Sequence, residues 1–128
     1  MRNRTIVRLQ ITSELSPEQI TEKVGISPDL CWLKGDTISP TALRRKTNGW
    51  ELNSGIGEER ALKEHLTTLL LKVRGAEDRL VRLKNSAEIL VSCVIYWDSQ
   101  PDMFVDSELV RSIASIGAAL DFDVYIRD

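Results

Sequence analysis

The segment Ala87–Trp97 (AEILVSCVIYW) constrains the fold more than any other part of the chain. It is rich in β-branched and aromatic residues and apolar at successive positions, so neither of its faces suits water. A strand of that kind belongs inside a sheet, with a neighbour on each side. The rest of the chain must supply those neighbours and a layer of helices to cover them.

The other segments do so in a readable order. Residues 5–12 alternate Val7, Leu9 and Ile11 with Ile6, Arg8 and Gln10, the period of a half-buried strand. Leu15-Ser16-Pro17-Glu18-Gln19-Ile20 then opens a helix. Ser16 suits the N-cap, Pro17 the first helical position, and Gln19 completes a capping box, while Leu15 can staple against Ile20. Gly25 ends that helix and Pro28 enforces the break. Residues 30–33 and 49–53 read as the second and third strands. The polar stretch from Gly35 to Asn48 that joins them is long for a hairpin connection, which marks it as a place to look for function.

From Glu58 the period becomes helical. Leu62, Leu66, Leu69, Leu70 and Val73 form one apolar stripe, carried past Gly75 by Ala76, Leu80 and Leu83. This predicts two core helices with a kink or turn at Arg74-Gly75; spacing alone leaves open whether residues 58–84 make one kinked helix or two. After a turn over Ser99-Gln100-Pro101-Asp102, Asp106 is placed to cap a helix running through Ala119, with Leu109, Val110, Ile113, Ile116 and Leu120 on it. Phe122, Val124 and Ile126 then alternate with Asp121, Asp123, Tyr125 and Arg127 in a closing strand.

The resulting order, β-α-β-β-α-(α)-β-α-β, predicts a single α+β domain over residues 1–128: a ferredoxin-like βαββαβ core extended by a C-terminal αβ unit. A right-handed crossover sets the last strand parallel to the fourth and the last helix on the same face as the others. One sheet is then packed by helices on one face only. The other face displays Ile6, Arg8, Gln10, Leu90, Ser92, Val94, Tyr96, Asp123 and Tyr125. Such a face is too apolar to stand idle. Either a protein partner or a second copy of the chain meets it, through Ile6, Arg8, Leu90, Val94, Tyr96 and Tyr125 or through a sheet edge, or the 35–48 segment folds over it.

Composition narrows the function classes. The chain carries 17 basic and 19 acidic residues for a net charge of −2, whereas nucleic-acid binders draw their affinity from a basic excess. No window reaches the ~20 apolar residues of a membrane span, and Met1-Arg2-Asn3-Arg4 leads into a strand with no apolar stretch of a signal peptide, so a cytoplasmic protein is expected. Cys31 and Cys93 lie far apart in strand-like runs and read as small buried hydrophobes rather than a redox pair. With one histidine and no Cys/His cluster, neither a metal site nor a cofactor is expected.

Three places could still carry chemistry. Arg44, Arg45 and Lys46, with Lys34 and Asp36 on the same connection and Trp50 just beyond, could grip a phosphate or carboxylate, since guanidinium offers a planar fork of donors. The plainer alternative is a solvated loop in which an arginine pairs with Asp36 or packs on Trp50. Asp121 and Asp123 point the same way along a strand and could hold a cation or divide acid and base roles, or simply keep that face polar. His65 flanks the apolar stripe of its helix and reads as an ordinary boundary histidine.

Several segments together resemble a bacterial family catalogued as domain of unknown function 4279. They are Ser16-Pro17-Glu18-Gln19-Ile20 with Val24-Gly25-Ile26, Lys34-Gly35-Asp36, the basic run before Trp50-Glu51-Leu52-Asn53-Ser54, the helix Glu64-His65-Leu66 through Leu70-Leu71, and Ile116 through Tyr125. The resemblance covers nearly the whole chain. It implies a small stand-alone domain and brings no activity, cofactor or active site with it. The expectation is a non-enzymatic protein-binding module, self-association and an immunity-type neutralisation of a toxin both falling in that class; the alternative is a small-anion binder or enzyme using the 34–50 loop.

Overall fold

In the computed structural model, which describes residues 3–99 and 101–126, the strand at Ala87–Trp97 has a partner on both sides. The elements are β1 (Arg4–Ser13), α1 (Pro17–Val24), β2 (Leu30–Trp32), β3 (Asn48–Asn53), α2 (Leu62–Lys72), α3 (Glu77–Leu83), β4 (Ala87–Trp97), α4 (Ser107–Ser115) and β5 (Ala119–Ile126). They build one mixed sheet in the order β2-β3-β1-β4-β5, antiparallel from β2 to β4 and parallel between β4 and β5. The expected turn over Ser99–Asp102 contains Gln100, and the readings at Met1, Arg2 and Arg127 fall likewise outside the described residues.

Strand alternation decides what faces the helices. Val7, Leu9 and Ile11 of β1 stand opposite Cys93, Val91 and Ile89 of β4, and Leu9 and Ile11 also opposite Leu52 and Trp50 of β3. These residues form one core with Ile20 and Val24 of α1, Leu66 and Leu69 of α2, Leu80 of α3 and Ile113 of α4. All four helices therefore cover the same face of the sheet. Among the described residues no helix packs on the opposite rows.

Local chemistry accounts for the helix limits. The capping box closes as the residues predict: Gln19 N–H donates to Ser16 Oγ at 3.1 Å and Ser16 N–H to Gln19 Oε1 at 2.9 Å. Gly25 adopts φ 79° and stops α1. Residues 62–83 make two helices, broken at Gly75, whose φ of 91° no helix continues through. Asp106 caps α4 by accepting from Leu109 N–H at 2.9 Å.

Two expectations are corrected. The last helix ends at Ser115 rather than Ala119, because Gly117 turns left-handed at φ 74° and the Ala118 amide closes back on Ile113. Leu120 consequently sits in β5, opposite Val91. Cys31 is exposed: it lies opposite Trp50 on the helix side, but on the three-residue edge strand β2 the core no longer reaches it. Cys93 is buried, and burial pushes its thiol up to about 12.

Trp50 is the largest fully buried side chain, and its indole N–H donates to Thr21 Oγ1 at 3.0 Å, tying β3 to α1. Trp50→Ala should cost ~3–5 kcal/mol in urea unfolding, as truncation of a buried aromatic does. A loss under ~1 kcal/mol would show that α1 closes over the gap.

Candidate functional site

The helix-free face is built in rows across the strands. At one end Arg4, Tyr96 and Tyr125 line up: the Arg4 guanidinium sits 5.1 Å from the Tyr96 ring centroid, and the two tyrosine rings stack at 4.9 Å. Next come Ile6, Val94 and Asp123, then Arg8, Ser92 and Asp121 with Asn53 beyond. The following row holds Gln10, Leu90 and Ala119, with Glu51 accepting from Gln10 Nε2 at 2.7 Å. The six residues expected at an interface thus share one continuous patch on β1, β4 and β5. Tyr125 is 51% exposed and the other five are half-buried.

The basic connection borders this patch instead of covering it. It is an ordered ribbon with a bridge between Thr37 and Arg44: Gly35 N–H donates to the Arg45 carbonyl at 2.9 Å, and Arg45 N–H to the Asp36 carbonyl at 2.8 Å. With Trp32, Gln10 and Thr12 it encloses a concavity of about 380 Å³ lined also by Ile38, Leu43, Arg44 and Lys46. The loop therefore walls the β2–β3 side and the Gln10–Thr12 end of β1, and leaves the rest of β1, with β4 and β5, outside it.

Most of the residues expected to converge on an anion hold this loop together. Arg44 Nη1 donates to the Gly35 carbonyl at 3.0 Å, and Lys34 Nζ lies 3.3 Å from Glu14. Asp36 pairs with no arginine; its Oδ2 accepts from the Leu33 amide at 2.8 Å. Trp50 is not among them, because its register opposite Ile11 turns it into the core. The aromatic beside the arginines is Trp32, with the Arg45 guanidinium 4.0 Å above its ring. The signal for it was Gly49, directly opposite on β3: a methyl group there would overlap the indole, which lies flat across the glycine.

His65 is also placed differently from its expectation. It sits one turn into α2 beside Leu62, Leu66 and Leu69, fully buried beneath the β3–α2 connection. Its Nδ1 lies 2.7 Å from the hydroxyl of Ser54, itself buried, while Nε2 is buried without a hydrogen-bond partner. Both residues line a small concavity of about 170 Å³, with Arg8, Asn53, Ile56 and Glu58 around it. Burial holds the imidazole below its ordinary value, against the Gly57 backbone and the Glu64 and Glu59 carboxylates, which favour the cation. Asp121 and Asp123 share the open face with no third ligand: among the described residues no group of three or more His, Cys, Asp or Glu side chains could hold a metal. Nor is any helix among those residues long and apolar enough to cross a membrane.

A five-stranded mixed sheet with four helices on one face and an uncovered second face defines a small two-layer α+β domain. The chain belongs to the family described as domain of unknown function DUF4279, whose model matches residues 3–127. No curated protein and no solved structure matches it.

The buried imidazole gives a pH signature. Below its ordinary value of 6.5 the unfolded chain takes up a proton that the folded chain resists, so stability present above that pH is lost as pH falls toward the lowered folded value. The salt-bridged or capping carboxylates Glu58, Glu64 and Asp106 are lowered too, and their contribution is lost only as pH falls through the ordinary carboxylate range and below it. Urea unfolding should therefore show a decline from pH 7 to 5.5 in the wild type and a flat profile in His65→Gln. An equal decline in both would remove His65 as its origin.

Proposed function

We propose that this protein is a non-enzymatic, cytoplasmic binding module that meets a protein partner through the bare β1-β4-β5 strip. The observation that carries this reading is the strip itself: among the described residues Ile6, Leu90, Val94, Tyr96 and Tyr125 form an apolar band on the face away from the helices, outside the concavity built by the 38–47 loop. The strand order β2-β3-β1-β4, antiparallel throughout, supports a ferredoxin-like core to which α4 and β5 are added. That addition widens the strip by one strand and moves one edge of the sheet from β4 to β5.

Val94→Glu tests the reading. The side chain points to the open face, so the variant should fold with stability within ~0.5 kcal/mol of the wild type and lose whatever association the wild type shows in sedimentation. A variant that fails to fold would mean that the protein's own chain needs this face.

The 380 Å³ concavity beside Arg44 and Lys46 favours a second reading, an anion site on the loop. Inorganic phosphate should then raise the melting temperature of the wild type but not of a variant with Arg44→Ala and Arg45→Ala. No shift in the wild type would dispose of this reading.

A further inference from the structure

The bare strip is self-complementary in charge, and we propose that its partner is a second copy of this chain, packed face to face about a two-fold axis running along β4. This rests on the open-face reading above and names the partner.

The strip is organised in stripes along the strands. β1 presents Arg8 and, beyond it, Arg4, whose guanidinium is already paired with Glu58 at 2.8 Å; β5 presents the anions Asp121 and Asp123, and Leu90 and Val94 of β4 run between them. Arg8 and Asp121 occupy one row on either side of Ser92, two strands and so roughly 10 Å apart. Among the described residues neither forms an ion pair within the chain.

A two-fold axis along β4 exchanges the strands on its two sides and keeps each residue at its own level. Asp121 of one copy then lies over Arg8 of the other, Tyr125 over Arg4 and Asp123 over Ile6, while Leu90 and Val94 meet their own images, as does the exposed Glu88 at the end of the strand. An axis across the strands would instead set β5 on β5 and oppose aspartate to aspartate. An axis along β1 would bring the second copy onto β3 and β2, where the 33–47 loop stands over Gln10, Thr12 and Trp32. The pairing of Arg8 with Asp121 and the position of the loop thus select the same axis. In that arrangement β5 of the second copy lies alongside the loop wall, bringing its carboxylates to the side of Arg44 and Lys46.

Two faces packed in this way lie ~10 Å apart with strands aligned within about 30°. The footprint of three strands over about eight residues is roughly 15 by 25 Å, below the ~800 Å² per partner of a standard interface. The dimer should accordingly be weak, concentration-dependent and loosened by salt.

Sedimentation equilibrium up to about 1 mM tests the proposal. The wild type should dimerise, and Arg8→Glu or Asp121→Arg alone should weaken the dimer by about tenfold or more, since each sets like charges against each other. An equimolar mixture of the two variants should recover dimer, because opposite charges again face each other in both contacts. A wild type monomeric at about 1 mM, single variants that dimerise like the wild type, or a mixture that stays monomeric would each overturn the proposal. Val94→Glu separates this failure from that of the open-face reading. If the wild type is monomeric and Val94→Glu folded, the second copy is wrong and the face remains open to another protein. If Val94→Glu is unfolded, both readings fall.

Discussion

Everything in this structure depends on the full-length pairing of β1 with β4, which runs from Arg4 opposite Tyr96 to Ser13 opposite Ala87. That ladder satisfies the backbone of the two central strands and fixes the parity of every side chain on them. A slip of one residue would drive Arg8 and Gln10 into the core and expose Leu9 and Ile11. The helices have only one face to choose, because only one face is continuously apolar. The bare strip is the complement of that choice, so fold and candidate surface have a single cause.

The outer strands are held differently. β3 is tied from below by the Trp50 indole on Thr21 and from above by Glu51 accepting from Gln10. β5 has no such fasteners; it is held by its parallel ladder to β4 and by Leu120 and Phe122 packing at the margin of the core. Its outer edge offers unpaired backbone groups, and the aspartates beside that edge discourage other strands from adding to it. The three-residue length of β2 protects the opposite edge.

Where a residue's surroundings follow from its neighbours in sequence, the chain was easy to read. The capping box at Ser16, the break at Gly75 and the strict alternation of β1 and β4 all depend on local spacing, and they delivered the sheet, its covered face and the membership of the bare strip. Two features depend on distant partners and are hidden for that reason, and a third is masked by local spacing. Trp32 and Trp50 both lie on short strands, and alternation says which residues share a face without saying which of the two faces an edge strand covers; the register against Ile11 decides it. His65 looked like a boundary residue because its burial comes from the β3–α2 connection above it, not from its own helix. The end of α4 was misplaced because Ala118, Ala119 and Leu120 keep helical spacing after Gly117 has already turned the chain.

The contact between Trp32 and Gly49 joins the loop to the sheet. The indole rests on the glycine and Arg45 on the indole, a stack that joins the Lys34–Glu14 ion pair in holding the wall beside the strip. At position 49 a side chain is compatible only with a smaller residue or a displaced ring at position 32. A side chain at position 49 would tip the tryptophan aside, release the arginine and open β3 and β2 to whatever approaches the face. How many strands this surface offers to another molecule is thus governed by a single hydrogen atom.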